Sequence, residues 1–203
     1  MASDPTRRAL TVAEAEALQA RRPAAWDHVR FHGGADGFEA CDGPLAVDGE
    51  FEPGPGVLVV LGDLDCDLLF VDDIASLIVT GRLCARAIIG NGGIYVFGDL
   101  ECQTLVGLSY GDRMFGCHGH ARVGTLIEDG HTFVFSGRAE VDVLAPVSNL
   151  VVLPADARVA RDFRAGMAPA QMRDLFVDDV LGDEALDVDA VCSLLWDGRS
   201  PRR

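Results

Sequence analysis

Lysine is absent from this sequence, and all 17 basic residues of the 203-residue chain are arginine. A lysine nucleophile, a lysine Schiff base and a phosphate-loop lysine are therefore excluded. The arginines are outnumbered by 32 acidic residues, so the formal net charge is −15. Such a negative surface repels nucleic-acid phosphates and anionic membranes and attracts basic partners. We expect no binding to nucleic acid and a protein partner that is basic.

Signals for export and membrane insertion are also missing. The first ten residues include Asp4, Arg7 and Arg8 and lack the apolar core of a signal peptide. The longest clean apolar run near the centre of the chain, Val57–Leu61, is too short to span a bilayer. The six cysteines form no Cys-x-x-Cys pair, and without an export signal they are expected to be reduced thiols. The sequence therefore predicts a cytoplasmic protein with no membrane partner.

The most informative feature that is present is an internal repeat. Phrases such as VVLGDLDCDLL and YVFGDLECQTL recur around five glycines with spacings of 19, 17, 21 and 18 residues, at Gly62, Gly81, Gly98, Gly119 and Gly137. Apolar residues two and four positions after each glycine have the period of a strand with one buried face. No unit can bury that face alone, so the units are expected to stack into one continuous core.

This repeat predicts a mainly β protein, a single-stranded β-helix (β-solenoid) of about five to six rungs with helical caps at both ends. We assign the β-solenoid to residues 43–153, an N-terminal helical cap to 1–42 and a C-terminal helical cap to 154–203. Thr11–Glu14 matches a capping box at the start of a helix. Unpaired strand edges at the two ends of a solenoid promote aggregation, so the helical flanks are expected to cover them.

Cys117-His118-Gly119-His120 is the segment that most suggests chemistry. On a strand the two histidines would project from one side and could share a metal with Asp99 or Glu101 of the preceding rung. In the other interpretation, His120 belongs to an outward column of charged residues at equivalent positions of successive rungs. The motif supplies only two ligands, so we expect no metal, no cofactor and no catalytic residue.

Residues that contact a partner are expected among exposed aromatic side chains and the C-terminal acidic cluster. Aromatic anchors usually contribute most of the binding energy of an interface, and the candidates are Tyr110, Phe115, Phe133 and Trp196. Acidic residues would accelerate encounter with a basic partner, and the candidates are Asp178, Asp179, Asp183 and Glu184. The alternative for this cluster is an ordinary solvated face, since its spacing does not fit a calcium-binding EF-hand.

The repeated phrase V-x-G-D/R-L-x-A/C and the segment DLFVDDVLGDEALDVDAVCSLLWDGRSP resemble small bacterial β-solenoid proteins associated with polymorphic secreted toxins. The resemblance covers about residues 57–200 and supplies no catalytic motif. It implies a cytosolic immunity protein that binds and neutralises a toxin domain without enzymatic activity. Two alternatives remain open. A bactofilin-like self-assembling scaffold would stack through uncapped ends, and a metal-dependent enzyme would use His118 and His120.

Overall fold

The computed structural model describes residues 6–34, 38–108, 113–148, 150–166, 169–182 and 185–203. Within these ranges the chain is mainly β and winds as a β-solenoid of about six turns, which confirms the predicted fold class. In spatial order, sheet A contains β1 (Arg7–Ala9), β2 (Glu39–Asp42), β4 (Gly56–Leu61), β6 (Ala75–Val79), β8 (Gly93–Val96), β10 (Met114–Cys117), β12 (Thr132–Phe135) and β14 (Val151–Val152). Sheet B contains β3 (Leu45–Phe51), β5 (Leu64–Val71), β7 (Leu83–Gly90), β9 (Leu100–Leu108), β11 (Ala121–Asp129), β13 (Ala139–Pro146) and β15 (Arg158–Asp162).

Each rung consists of one strand in sheet A followed by one strand in sheet B. Both strands pair in parallel with those of the neighbouring rungs, so equivalent positions of the repeat form columns. Leu100, for example, pairs with Leu83 on one side and with Ala121 on the other. The parallel pairing begins in β2 and ends in β15, so it covers 39–162 and extends past the predicted limits of 43–153.

The repeated glycines form the corner at which the chain passes from sheet A to sheet B. The N–H of Gly98 donates to the carbonyl oxygen of Gly81 at 3.1 Å, and the N–H of Gly119 donates to that of Gly98 at 3.1 Å. A Cβ atom on Gly98 would lie 2.4 Å from the oxygen of Gly81. Only a residue without a side chain allows the rungs to stack this closely at the corner.

The space between the sheets is filled by the apolar columns that the repeat predicts. The residues two positions after the glycines are at most 1 % exposed, and they are Leu64, Leu83, Leu100, Ala121 and Ala139. The residues seven positions after the glycines are fully buried, and they are Leu69, Ile88, Leu105, Leu126 and Leu144. A fully buried leucine or isoleucine stabilises a fold by roughly 1.5–3 kcal/mol, so these columns are a principal source of stability.

The helical segments are short and lie near the two termini of the chain. The N-terminal segment contains α1 (Val12–Arg21) and a 3-10 turn at 24–26. The predicted capping box is confirmed, because Thr11 Oγ1 accepts the Glu14 N–H and a Glu14 carboxylate oxygen accepts the Thr11 N–H. The C-terminal segment contains α2 (Pro169–Leu175), a 3-10 turn at 178–180 and α3 (Val188–Trp196).

These segments cover the sides of the solenoid, which corrects the expectation that they cover its open ends. Trp26 is fully buried on the outer face of sheet A, with its ring 5.5 Å from that of Tyr95 and 5.2 Å from that of Phe97. On the outer face of sheet B, Leu194 packs in one apolar cluster with Ile89 and other outward residues. The physical reason is area, because outward apolar columns offer more surface for burial than a solenoid end does.

The ends of the solenoid are treated differently from each other. At the N-terminal end, β1 pairs antiparallel with β2 and closes the edge of sheet A. The edge of sheet B at this end is β3. At the C-terminal end, β14 and β15 are the last strands of their sheets. None of the helices in the described ranges is long and apolar enough to cross a membrane.

Leu105→Asp is predicted to lower the free energy of unfolding by roughly 3–5 kcal/mol, because it places an unpaired charge in the sealed core. Gln103→Asp is the matched control, since Gln103 is an exposed residue of the same strand. Urea denaturation followed by circular dichroism measures both variants. Equal stability of the two variants would show that the inward and outward faces of β9 have been assigned wrongly.

Gly98→Ala is predicted to lower the free energy of unfolding by roughly 2–3 kcal/mol or more, because the added methyl group collides with backbone of the preceding rung. Ser136→Ala is the control. Ser136 is exposed in the equivalent corner of a later rung, directly before Gly137, so the expected change is about 0.5 kcal/mol or less. Thermal unfolding measures the difference, and a harmless Gly98→Ala would contradict the close stacking at the corner.

Candidate binding surface

Two of the predicted aromatic anchors, Phe115 and Phe133, are interior residues, which corrects the expectation that they are exposed. They are 1 % and 0 % exposed, and their rings lie 5.6 Å apart between the two sheets. The reason lies in β10 and its neighbours, because the core covers one face of sheet A and the N-terminal segment covers the other. An aromatic residue on this part of sheet A is therefore buried on either face.

Trp196 is the predicted anchor that remains accessible. It lies at the end of α3, is 42 % exposed and packs edge-on against Phe70 of β5 with 5.3 Å between the ring centroids. Amphipathic aromatic rings held in place in this way are typical contact residues in interfaces. Tyr110 lies outside the described residues.

Two members of the C-terminal acidic cluster are exposed and paired with arginines from the end of the chain. Asp178 lies 2.5 Å from an Arg203 nitrogen, and Asp179 lies 2.8 Å from an Arg199 nitrogen. Ion pairs this exposed contribute little stability, but they neutralise the charge of these two carboxylates. Asp183 and Glu184 lie outside the described residues.

A second concentration of negative charge lies at the N-terminal end of the solenoid, which sequence reasoning missed because it summed charge over the whole chain. Residues 31–81 contain eleven acidic residues and no arginine. We call five of them, at the exposed edge and turn of the first two rungs, the acidic end, and they are Asp48, Glu50, Glu52, Asp72 and Asp73. Within the described part of the chain none of these five makes an ion pair. Their field is therefore available to a partner.

The exposed part of sheet B forms an open groove of about 410 Å³ across β5 to β13. Its lining includes outward residues of both charges, among them Arg86, Glu101, Arg122 and Glu140. Arg86 is held by Asp67 at 2.9 Å and by the carbonyl oxygen of Leu195, so it also fastens α3 to the sheet. The lining contains two arginines and three acidic residues, and Arg122 lies 3.8 Å from Glu140, so the net charge of this groove is small compared with that of the acidic end.

His118 and His120 lie in the corner between β10 and β11, not on a strand as considered above. Their surroundings differ. The His118 ring contacts Trp26 on the side of sheet A, with 6.5 Å between centroids, whereas His120 Nε2 lies 3.8 Å from a Glu140 oxygen on the side of sheet B. Among the described residues, no group of three or more His, Cys, Asp or Glu side chains is arranged to bind a metal ion.

The thiols are placed where deprotonation is unfavourable. Burial raises the pKa of Cys66 to about 12 and that of Cys117 to about 12. Burial also raises the pKa of Cys102, which occupies the same inward column as Cys66. Because the thiolate is the reactive form, these cysteines act as small apolar core residues at neutral pH.

Two buried polar residues were not anticipated from the sequence. Glu128 is fully buried, and its carboxylate accepts the N–H groups of Gly130 at 2.8 Å and Ser148 at 2.9 Å. It thereby joins the turn after β11 to the turn after β13. His131 is also fully buried, with its ring 5.4 Å from that of Phe133. Neither residue occupies one of the repeated apolar positions, and Asp129-Gly130, which lies between them in the sequence, predicts only a turn.

Comparisons of the chain with protein-family models, curated proteins and solved structures find no match. The surfaces described above are therefore the basis on which its function can be inferred.

Lowering the pH from about 6.5 to about 4 is predicted to reduce stability through His131. Burial lowers the pKa of His131 to about 4, so in this window the unfolded chain binds a proton that the folded protein does not. The full effect is up to roughly 3 kcal/mol. His131→Gln should flatten this part of the stability profile, whereas the exposed His28→Gln should not change it. Parallel profiles for wild type and His131→Gln would contradict the burial of a neutral imidazole.

Proposed function

We propose that this protein is a non-enzymatic, cytoplasmic immunity protein that binds and neutralises a basic domain of a secreted bacterial toxin. The observation that carries the proposal is the acidic end, where unpaired carboxylates are concentrated on a rigid edge of the solenoid. Oppositely charged surfaces attract over several ångströms and raise the rate of association. A toxin domain that acts on nucleic acid is a partner of the required charge.

An exposed aromatic side chain lies beside this charge. Trp196 packs on Phe70, and β5, which contains Phe70, pairs with β3 and leads into the turn at Asp72 and Asp73. Ile74, in the same turn, is 62 % exposed. A partner that docks here would bury apolar anchors among carboxylates, which is the usual composition of a specific interface.

The rigidity of the framework also supports a binding role. Parallel strands pair on both sides in every internal rung, and buried columns fill the space between them. A surface that is already ordered loses little conformational entropy when a partner binds, so more of the contact energy is retained as affinity. The short antiparallel strand β1 adds support, because a bactofilin-like scaffold would need that end free for stacking.

The direct test is co-expression with a basic toxin domain encoded beside this gene, followed by a viability assay and purification of the complex. We expect protection, a complex that weakens as salt is raised, and a dissociation constant at least about tenfold higher for Trp196→Ala. Glu50→Arg with Asp73→Arg should slow association.

Two variants on other surfaces serve as controls. Val12→Ala removes an apolar side chain that is 58 % exposed on α1, and Asp156→Arg reverses a charge near the C-terminal end of the solenoid. Both should leave binding unchanged. If the toxin domain kills cells that contain soluble, folded copies of this protein, the proposed function is wrong.

A further inference from the structure

The two outer strands of sheet B contribute to the same columns of the repeat, with one extra residue in β3 between Val47 and Glu50. The column that begins with Val47 in β3 continues through Cys66 and the following rungs to Val159 in β15. Val47 and Val159 are both partly buried, at opposite ends of the core. If β15 of one molecule paired with β3 of another in this register, the apolar core would continue from one molecule into the next.

The same register places opposite charges against each other. The column that begins with Glu50 in β3 ends with Arg161 in β15. Both side chains are exposed, and within the described ranges neither makes an ion pair. Opposite charges on directly paired positions of neighbouring strands are attractive. The wider surroundings agree, because Arg158 lies on the same strand as Arg161 whereas strands β2 to β5 contain no arginine. Arg164 is paired with Asp162, and the two arginines of β1 are paired with carboxylates of β2.

The last rung exposes apolar surface that such a contact would cover. Among the described residues, six large hydrophobic side chains are exposed, and three of them, Val147, Leu150 and Val152, belong to the segment that forms β14 and leads into it. Exposed apolar residues that lie together beside open strand edges are typical of an interface.

The obstacle to this contact is β1. It lies against β2, in the position that β14 of a preceding molecule would occupy if the solenoid continued. Arg8 holds it there, with one nitrogen 2.7 Å from a Glu14 oxygen and 2.8 Å from an Asp42 oxygen. The ion pair of Arg7 with Glu39 at 3.0 Å adds a second attachment.

We propose that the two ends of the solenoid form a head-to-tail interface for a second copy of this chain, and that β1 keeps this interface closed in the monomer. Release of β1 exposes the edge of β2, so that β14 and β15 of another molecule can pair with β2 and β3. The contact is heterologous, and it therefore propagates into a linear assembly. This inference goes beyond the proposed function, and toxin neutralisation by the monomer does not depend on it.

The test uses the full-length chain and measures the weight-average mass by analytical ultracentrifugation. Wild type is expected to be monomeric. Arg8→Glu places a negative charge between Glu14 and Asp42 and should release β1, so that the mass rises with concentration to at least about twice that of the monomer. Circular dichroism verifies that the variant is folded. Arg8→Pro removes the strand N–H that, like that of Leu10, points toward β2, and it does so without adding a negative charge. It replaces Arg8→Glu if that variant does not fold.

Charge reversal then identifies the interface. In the Arg8→Glu background, Glu50→Arg and Arg161→Glu should each abolish assembly, because each places like charges opposite one another. A mixture of these two double variants should assemble again. In the mixture, the residue at position 161 in β15 of each variant is opposite in charge to the residue at position 50 in β3 of the other. Arg158→Glu is the matched control on the same strand, and it should have little effect because its column begins with the uncharged Ala46.

Three results would overturn the inference. The first is a wild-type protein that assembles through Glu50 and Arg161 while β1 is in place. The second is an Arg8→Glu protein that folds but stays monomeric. The third is an assembly that neither charge reversal weakens. A failure here leaves the co-expression test unaffected, so the two proposals are judged separately.

Discussion

Close stacking of the backbone at the corner between the two sheets is the constraint on which the rest of the structure depends. At Gly81, Gly98 and Gly119 each rung hydrogen-bonds to the preceding one, and a Cβ atom would collide with that backbone. Because every rung has its corner at an equivalent place, the strands of sheet B begin at equivalent positions, two residues after the corner glycine. The apolar positions of successive rungs then fall into columns, and the columns close the core.

A second consequence is that both faces of each sheet need cover. A strand of the repeat has an inward face in the core and an outward face that also contains apolar residues, such as Tyr95 in sheet A and Ile89 in sheet B. The N-terminal segment covers the outward face of sheet A, and the C-terminal segment covers the outward face of sheet B. Among the described residues, the surfaces left exposed include the outer part of sheet B, the end of α3 and the two ends of the solenoid.

Charge is distributed unevenly along the axis that the stacking creates. The charged side chains of the first two rungs are all acidic, whereas arginines alternate with acids in later rungs, as in the pairs of Arg122 and Arg138 with Glu140. Both proposals rest on this polarity, because a basic partner domain and Arg161 of a second copy would each be attracted to the same acidic end. A three-residue strand, β1, separates the two outcomes because it occupies the edge that stacking requires.

The sequence by itself determined the solenoid, the inward columns and the capping box of α1, because these depend on local spacing that repeats from rung to rung. Only the tertiary structure decided where the flanking helices pack, that Phe115 and Phe133 are interior, and that His118 and His120 have separate environments. These properties depend on contacts between segments far apart in the chain, such as Trp26 with Tyr95 and Trp196 with Phe70. A periodic pattern shows which side of a strand a residue occupies, but it contains no information about what lies on that side.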